Sequence, residues 1–336
     1  MYWAEKTQRE ILLMQTFDLQ MEPALAEIRS RMLHVLDGMP GHEGMRSLLA
    51  DVVNTPGKMI RTKLMLLAAG NCPPDRQDEL LSTAAALELI HSSSLILDDL
   101  IDDSPLRRGR PTVQKQYGKP IAVCSGVYLL VTALAWLTDR GFTVSARELM
   151  DAVQATCDGE MIQHENRGNI GISTEAYFDA IRGKTACAFS TACKMACRIA
   201  GREERESRAL EGFGMLIGIM FQLRDDLLDW TMEEAQLGKP VNEDFADGVY
   251  TLPTIWGFSD SRCGDRLRAL AEKKEMSAQN LQEARRIVAD AGGVAYTAAY
   301  LKKLGSQADA LLDILPDDGN TDAMRALVRL LEVECK

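Results

Sequence analysis

The chain has 336 residues, 46% of them hydrophobic, and a formal net charge of −11. This length and composition allow one large hydrophobic core. The acidic balance argues against a nucleic-acid partner, because nucleic-acid binding needs a basic surface.

The first residues and the cysteines indicate a cytoplasmic protein. The opening stretch MYWAEKTQRE is polar and charged, unlike a secretory signal. The eight cysteines show no CxxC pair and no paired spacing, so we expect reduced thiols. Cys193 and Cys197 lie one helical turn apart and could hold a metal, but two small core residues of a helix are the favoured interpretation.

Helical periodicity dominates the chain, and strand signals are nearly absent. Turn-forming segments separate helices of roughly ten to twenty-five residues. These segments lie at 38–44, 54–57, 71–75, 104–111, 117–120, 166–171, 237–240 and 314–319. We therefore predict an all-α fold, organised as a single large domain over residues 1–336.

A first acidic cluster directly follows the apolar helical segment ALELIHSSSLIL. Asp98 and Asp102 share one helix face, and Asp99 lies about 100° around the axis. Carboxylates this close raise one another's pKa unless cations neutralise them, and magnesium often binds through one or two carboxylates plus substrate phosphates. A solvated acidic helix end is the alternative, but it does not explain why His91 lies on the same stripe.

An uncharged segment, residues 120–138, approaches the length of a membrane-spanning helix. Its opening proline and the residues Ser125, Gly126 and Thr132 weaken that interpretation. We expect a central buried helix and no membrane span.

A second acidic cluster repeats the spacing of the first, with Asp225, Asp226 and Asp229. Gln222 lies on the same stripe, and glycines at 212, 214 and 218 interrupt the helical pattern. Each glycine should cost about 1 kcal/mol relative to alanine, so close packing or an open cavity must justify it. Two such clusters on separate apolar helices could together hold several magnesium ions around one polyanion.

Five segments in order resemble the motifs of the trans-prenyl diphosphate synthase family, the polyprenyl synthetases. They are GKMIR (57–61), the first aspartate-rich segment (88–112), IRGKTA (181–186), FQLRDDLLD (221–229) and GKPVNEDFADGVYTLP (238–253). The resemblance covers nearly the whole chain after about residue 50, so residues 1–50 would be variable N-terminal helices. It implies a helical bundle of the isoprenoid synthase type, with a central cavity between core helices.

The resemblance also implies roles for individual residues. Asp98, Asp102 and Asp225 would bind magnesium, and Asp99, Asp226 and Asp229 would support that shell. Thr185 and Gln222 would lie beside the reacting carbons. The residues expected to bind the allylic diphosphate are Arg107, Lys184 and Lys239, and those expected to bind isopentenyl diphosphate are Lys58, Arg61, His91 and Arg108.

The implied activity is elongation of an allylic prenyl diphosphate with isopentenyl diphosphate, through ionisation, condensation and elimination. It would use three magnesium ions, and a homodimer is expected. Three positions depart from the family pattern: Val249 and Met59 replace basic residues, and Val127 follows Gly126 where the family often has aspartate. These departures put efficiency in doubt, and not the reaction class.

Product length should depend on the helix that carries Asp98. Ser94 lies one turn earlier, roughly 6 Å along the axis. In the family, aromatic residues here or one position before give short products, whereas Ser93 and Ser94 are both small. We therefore predict a geranylgeranyl or longer product, although Tyr128 could instead form the tunnel floor.

Three alternatives remain open. A terpene cyclase of related fold needs the metal clusters but no isopentenyl diphosphate site, so Lys58, Arg61 and His91 argue against it. A non-catalytic subunit of a heteromeric synthase would be expected to lack aspartates. A di-iron carboxylate protein would need Glu-x-x-His pairs, whereas Glu160 and His164 have i, i+4 spacing, typical here of a solvated helix end.

Overall fold

The structure, a computed structural model, describes residues 8–38, 42–55, 57–232, 242–273 and 276–332. These residues are almost entirely helical, which confirms the all-α prediction. In chain order the helices are α1 (Gln8–Asp37), α2 (Glu43–Val53), α3 (Ile60–Ala69), α4 (Gln77–Ile101), α5 (Val113–Tyr117), α6 (Lys119–Asp139), α7 (Thr143–Glu165), α8 (Thr174–Ile181), α9 (Cys187–Ala200), α10 (Glu204–Thr231), α11 (Glu243–Ala246), α12 (Leu252–Ser259), α13 (Gly264–Ala271), α14 (Ala278–Asp290), α15 (Gly293–Leu312) and α16 (Gly319–Leu331).

Three short elements interrupt this series. A 3-10 turn (Pro74–Arg76) precedes α4, and a π-helical turn (Arg182–Ala186) follows α8. Strands β1 (Leu106–Arg107) and β2 (Arg110–Pro111) pair antiparallel in a hairpin. The sequence did not predict this hairpin, because the segment has no alternating apolar pattern.

The described chain divides into two compact units. The first unit contains Met14–Ala152 and Thr191–Glu211. The second unit contains Val153–Ser190 and the described part of Gly212–Lys336, together with residues 8–13. The single domain expected over residues 1–336 stays a prediction.

In the first unit, α4 and α6 pack closely along each other. Ser93 on α4 is buried, and its hydroxyl donates to the carbonyl of Gly126 on α6 at 2.7 Å. A Cβ atom at Gly126 would come within 2.8 Å of Leu97, so this glycine allows the close approach. The contact fixes the helix that ends in the first acidic cluster.

The prediction that residues 120–138 are buried is wrong on one face. Val123, Val127 and Val131 are 43%, 49% and 57% exposed, and they form a stripe at i, i+4 and i+8 of α6. By length and apolar composition both α4 and α6 could cross a membrane, with 61% and 33% of their most apolar windows buried in the protein. Both helices contribute buried side chains to the first unit, which is typical of core helices.

Aromatic side chains join the helices of the second unit. Tyr177 and Phe178 on α8 are buried, and the Phe178 ring lies 5.1 Å from that of Tyr300 on α15. Trp256 on α12 stacks on Tyr296 at 3.8 Å between ring centroids. These contacts fix the face of α8 that carries Tyr177.

Candidate active site

The first acidic cluster lies at the C-terminal end of α4. Asp98 and Asp99 are in the last turn, and Asp102 is the residue that caps the helix. The helix dipole is negative at this end, so carboxylates here are unfavourable unless cations are near. This placement favours a cation-binding role over a stabilising one.

Asp99 is buried and bound on both its side chain and its backbone. Arg107 Nε donates to Asp99 Oδ1 at 2.8 Å, and Gln114 Nε2 donates to its carbonyl at 2.6 Å. Burial raises the pKa of Asp99, and the Arg107 charge opposes that rise. Arg107, expected at the allylic diphosphate, is therefore paired with the cluster in this structure.

A tight hairpin turn positions the arginines of the RRGR segment. Arg108 and Gly109 occupy its two central positions with φ of 52° and 75°, the positive pair of a type I′ turn. A Cβ at Gly57 would come within 2.5 Å of Arg108 Nη2, and Arg108 Nη1 donates to the carbonyl of Thr55 at 3.4 Å. The glycine of GKMIR, Gly57, therefore makes room for the Arg108 guanidinium.

The remaining residues expected to bind isopentenyl diphosphate lie in the same unit. Lys58 is exposed just before α3, and Arg61 Nη1 lies 3.3 Å from His91 Nε2. Met59, which replaces a basic residue of the family, has φ of 50° and a buried side chain. The structure thus brings Arg61, His91 and Arg108 into electrostatic contact.

His91 is held in its neutral form. Burial lowers its pKa well below the ordinary value of 6.5, and the charges of Arg61, Arg108 and Arg107 lower it further. Neutral imidazole can donate one hydrogen bond and accept another. In the absence of an anion, His91 is therefore a neutral hydrogen-bonding group beside Arg61.

This neutral histidine should make the folded state sensitive to acid. Below about pH 6.5 the unfolded chain binds a proton at His91 that the folded chain does not, so the free energy of unfolding falls by up to about 1.4 kcal/mol per pH unit. We expect His91→Gln to lose less stability than the wild type between about pH 8 and 5.5. Urea unfolding at both values tests this, and equal losses would contradict it.

Glu88 also belongs to this site, although the sequence motifs indicated no role for it. The Thr62 hydroxyl donates to Glu88 Oε1 at 2.6 Å, and both residues are buried. Burial raises the pKa of Glu88, and Thr62, Arg61 and Arg108 oppose that rise. Its signal in the sequence is its position one turn before His91, because a carboxylate on such an apolar helix needs cationic or hydrogen-bonding partners.

In the second unit, a π-helical turn carries Lys184 and Thr185. A Cβ at Gly159 on α7 would lie 2.2 Å from the Lys184 nitrogen, and one at Gly218 on α10 would lie 2.4 Å from Ala186 Cα. Both glycines therefore let neighbouring helices approach the backbone of the turn. Close packing thus explains why a glycine lies at position 218. Turns of π-helix occur frequently at functional sites.

A chain of hydrogen bonds joins Thr185 to the second acidic cluster. The Thr185 hydroxyl donates to Gln222 Oε1 at 2.9 Å, and Gln222 Nε2 donates to Asp226 Oδ1 at 2.8 Å. Tyr177 donates to the other oxygen of Asp226. The structure therefore brings Thr185 and Gln222 together, and it adds Tyr177, which no spacing in the sequence indicated. Their place beside the reacting carbons stays a prediction.

The other aspartates of this cluster lie nearby. Asn242 donates from its backbone nitrogen to Asp229 Oδ1 at 3.0 Å and from Nδ2 to the Asp229 carbonyl at 2.9 Å. Asp225 is half-buried on α10. Asp229 therefore also anchors Asn242, which directly precedes α11.

Lys184 pairs with a glutamate of α7. Its Nζ lies 2.5 Å from Glu160 Oε2, and both side chains are largely covered. The expectation that Glu160 lies at a solvated helix end is therefore wrong, whereas His164, one turn later, is exposed. In this structure Glu160 therefore neutralises the ammonium group of Lys184.

The donor chemistry of the second cluster fits a hard divalent cation. Burial raises the pKa of Asp226 to about 8, and the charges of Asp244 and Asp225 contribute to that rise. Such crowding of negative charge would be relieved by a cation. No three His, Cys, Asp or Glu side chains in the described ranges form a ready ligand set.

Several other sequence-based expectations can be located. Lys239 lies outside the described residues. Ser94 is half-buried, and its hydroxyl donates to the His91 carbonyl at 2.8 Å, within its own helix. Val249 is half-buried, and its N–H donates to the Asp244 carbonyl at 2.7 Å. Cys193 and Cys197 are buried in the core, as favoured.

The sequence of this chain is similar to those of known proteins. The family model described as polyprenyl synthetase matches residues 42–288. Heptaprenyl diphosphate synthase component 2 of Geobacillus stearothermophilus is 35% identical over 223 residues, which are 66% of this chain and 69% of that protein. The short chain isoprenyl diphosphate synthase of Methanothermobacter thermautotrophicus is 31% identical over 84% of this chain and 86% of its own length.

A solved structure shows the same fold. The polyprenyl synthase of Caulobacter crescentus, crystallised in complex with calcium and isoprenyl diphosphate, superposes with a TM-score of 0.83 at 25% identity. The match covers 94% of this chain and 96% of that one. The helical architecture described above is therefore that of the solved polyprenyl synthase.

Proposed function

Because this chain belongs to the polyprenyl synthetase family, we propose that it is a chain-elongating trans-prenyltransferase. It condenses isopentenyl diphosphate with an allylic prenyl diphosphate to give an all-trans product of geranylgeranyl length or longer. The observation that carries this proposal is the cationic group of the first unit. Arg61 contacts the His91 ring, and the charge of Arg108 also lowers the pKa of that ring.

This cationic group favours elongation over cyclisation. A cyclase acts on one allylic diphosphate, so it needs no second binding site for a diphosphate. The guanidinium groups of Arg61 and Arg108 can bind phosphate oxygens with two parallel hydrogen bonds each. The buried carboxylate of Glu88 balances their charge while no anion is bound.

The second unit would act on the allylic substrate. Lys184 exchanges Glu160 for the diphosphate and stabilises its negative charge as the carbon–oxygen bond breaks. Three magnesium ions, bound through Asp98, Asp102 and Asp225, would supply Lewis-acid stabilisation of the leaving diphosphate. Thr185 and Gln222 would line the region beside the resulting allylic cation, from which water must be excluded.

The bond changes balance without a further reagent. The electron pair of the isopentenyl double bond forms the new carbon–carbon bond to the allylic cation. A proton then leaves the neighbouring carbon, and a new double bond forms. We assign the released diphosphate as the acceptor of that proton, because neutral His91 is committed to the isopentenyl diphosphate.

The function is tested by incubating the pure chain with magnesium and isopentenyl diphosphate. Dimethylallyl, geranyl or farnesyl diphosphate is added separately, and products are identified by mass spectrometry after dephosphorylation. A ladder of linear prenols is expected, and its end gives the product length. Cyclic hydrocarbon from one allylic substrate alone would contradict the proposal.

A phenylalanine at position 94 should shorten the product, whereas a phenylalanine at position 93 should mainly reduce stability. The Ser94 hydroxyl donates to a carbonyl of its own helix, so Ser94→Phe should place a ring in the path of the growing chain and shorten the product. Ser93 contacts the backbone of Gly126, so Ser93→Phe should mainly destabilise the α4–α6 packing. Product analysis and thermal unfolding of both variants distinguish these effects, and unchanged products from Ser94→Phe would rule out this path.

The assembly remains a proposal. We expect a homodimer, and the exposed valine stripe of α6 supports association of some kind. The relative named as component 2 of a heptaprenyl synthase favours a second possibility, a chain that works with a different subunit. Light scattering and an activity assay of the pure chain decide between them. A dimer that is active alone supports the first, and a chain that is active only after another subunit is added supports the second.

A further inference from the structure

A buried tyrosine hydroxyl contacts the second acidic cluster. Tyr177 is almost completely buried on α8, and its hydroxyl donates to Asp226 Oδ2. The same hydroxyl lies near the backbone of Leu252, at the first turn of α12. Tyr177 therefore lies close to two segments that are far from it in the sequence.

The partners of Asp226 define the orientation of its carboxylate. One oxygen accepts from Tyr177 and the other from Gln222 Nε2, at 2.8 Å. When Asp226 is ionised, as it would be beside a bound cation, its carboxylate only accepts hydrogen bonds, so Gln222 turns its NH₂ group toward Asp226. Gln222 Oε1 is thereby directed at Thr185, whose hydroxyl donates to it at 2.9 Å.

We propose that Tyr177 is a positioning residue: its hydroxyl orients Asp226, and through Asp226 it orients Gln222 and the Thr185 hydroxyl for prenyl transfer. This inference rests on the proposed function. The ring of Tyr177 already packs against Phe178, and a phenylalanine would retain that packing. The hydroxyl therefore contributes orientation that packing alone does not supply.

The direct test removes the hydroxyl oxygen from two buried tyrosines, one at a time, and compares the two variants. Tyr177→Phe should lower kcat by about 10- to 100-fold with little change in the KM for isopentenyl diphosphate, because a hydrogen bond to a buried charged group is lost. Tyr250→Phe is the matched control, since its buried ring also carries one hydroxyl, which donates to the Ala271 carbonyl at 3.3 Å. Normal kcat in Tyr177→Phe, or an equal loss in both variants, would overturn the inference.

A compensating pair tests the direction of the hydrogen bonds. In Asp226→Asn one of the two acceptor oxygens becomes an NH₂ group, so either Tyr177 or Gln222 loses the acceptor for its hydrogen bond. Adding Gln222→Glu restores an acceptor toward residue 226 and keeps one toward Thr185, so the double variant should recover part of the activity. A double variant no more active than Asp226→Asn would contradict the proposed orientation.

A third measurement does not depend on activity. Without metal or substrate, the melting temperature of Tyr177→Phe should fall, and this fall should shrink when Asp226 is already asparagine. Equal shifts in both backgrounds would overturn the inference. Should the wild-type chain form no prenol at all, the proposed function fails, and this coupling alone still decides whether Tyr177 orients Asp226.

Discussion

Replacing Asp98 by asparagine should lower turnover about 1,000-fold while leaving the fold intact. The side chain keeps its size, but it loses the negative charge that would hold magnesium at the leaving diphosphate. Its place at the negative end of the α4 dipole means that the charge does not stabilise the free helix. The variant should therefore unfold at the same or a slightly higher temperature than the wild type.

Asp103→Asn is the matched control, because it makes the same change five residues away. Asp103 is exposed and pairs with Lys119 at 2.8 Å, and asparagine tolerates its φ of 51°. We expect nearly normal turnover from this variant. Steady-state rates with saturating magnesium compare the two, and similar rates in both variants would remove Asp98 from the metal site.

Replacing Gly159 by alanine should destabilise the protein by about 3 kcal/mol and lower activity. The new Cβ would meet the Lys184 nitrogen at 2.2 Å and the Ala180 carbonyl oxygen at 2.7 Å. Both are backbone atoms, so no side chain can move away to relieve the contact. The π-helical turn would have to shift, and Lys184 and Thr185 would shift with it.

Gly212→Ala provides the contrast, since it makes the same change in the middle of α10. The nearest atom to its Cβ is a terminal methyl of Leu311 at 3.3 Å, which can rotate. Alanine favours helix by about 1 kcal/mol over glycine, so this variant should be neutral or more stable. Chemical denaturation measures both, and equal stability of Gly159→Ala and the wild type would contradict the described packing.

The sequence predicted what depends on local pattern and charge. Helical periodicity led to the all-α fold, which is confirmed, and the motif order led to the correct family. The assignment of Asp98, Asp102 and Asp225 to magnesium stays a prediction. The sequence could indicate this cation site because folding alone does not explain repeated carboxylates on an apolar helix.

Other features depend on contacts between distant residues. Tyr177 and Asp226 are 49 residues apart, and no spacing rule connects them. The hairpin needs a positive φ at Arg108, a conformation that arginine rarely adopts, so residue type did not indicate it. The exposed stripe of α6 was missed because composition cannot tell which face of an apolar helix is covered.

The π-helical turn at Arg182–Ala186 has a consequence for how this site can change in evolution. Such a turn is equivalent to a regular α-helix into which one residue has been inserted. Deleting a single residue there would restore an ordinary helix and rotate the preceding segment relative to the following one by about 100°. Tyr177 would then point away from Asp226. The number of residues in this short stretch is therefore under stricter constraint than the identity of several of them.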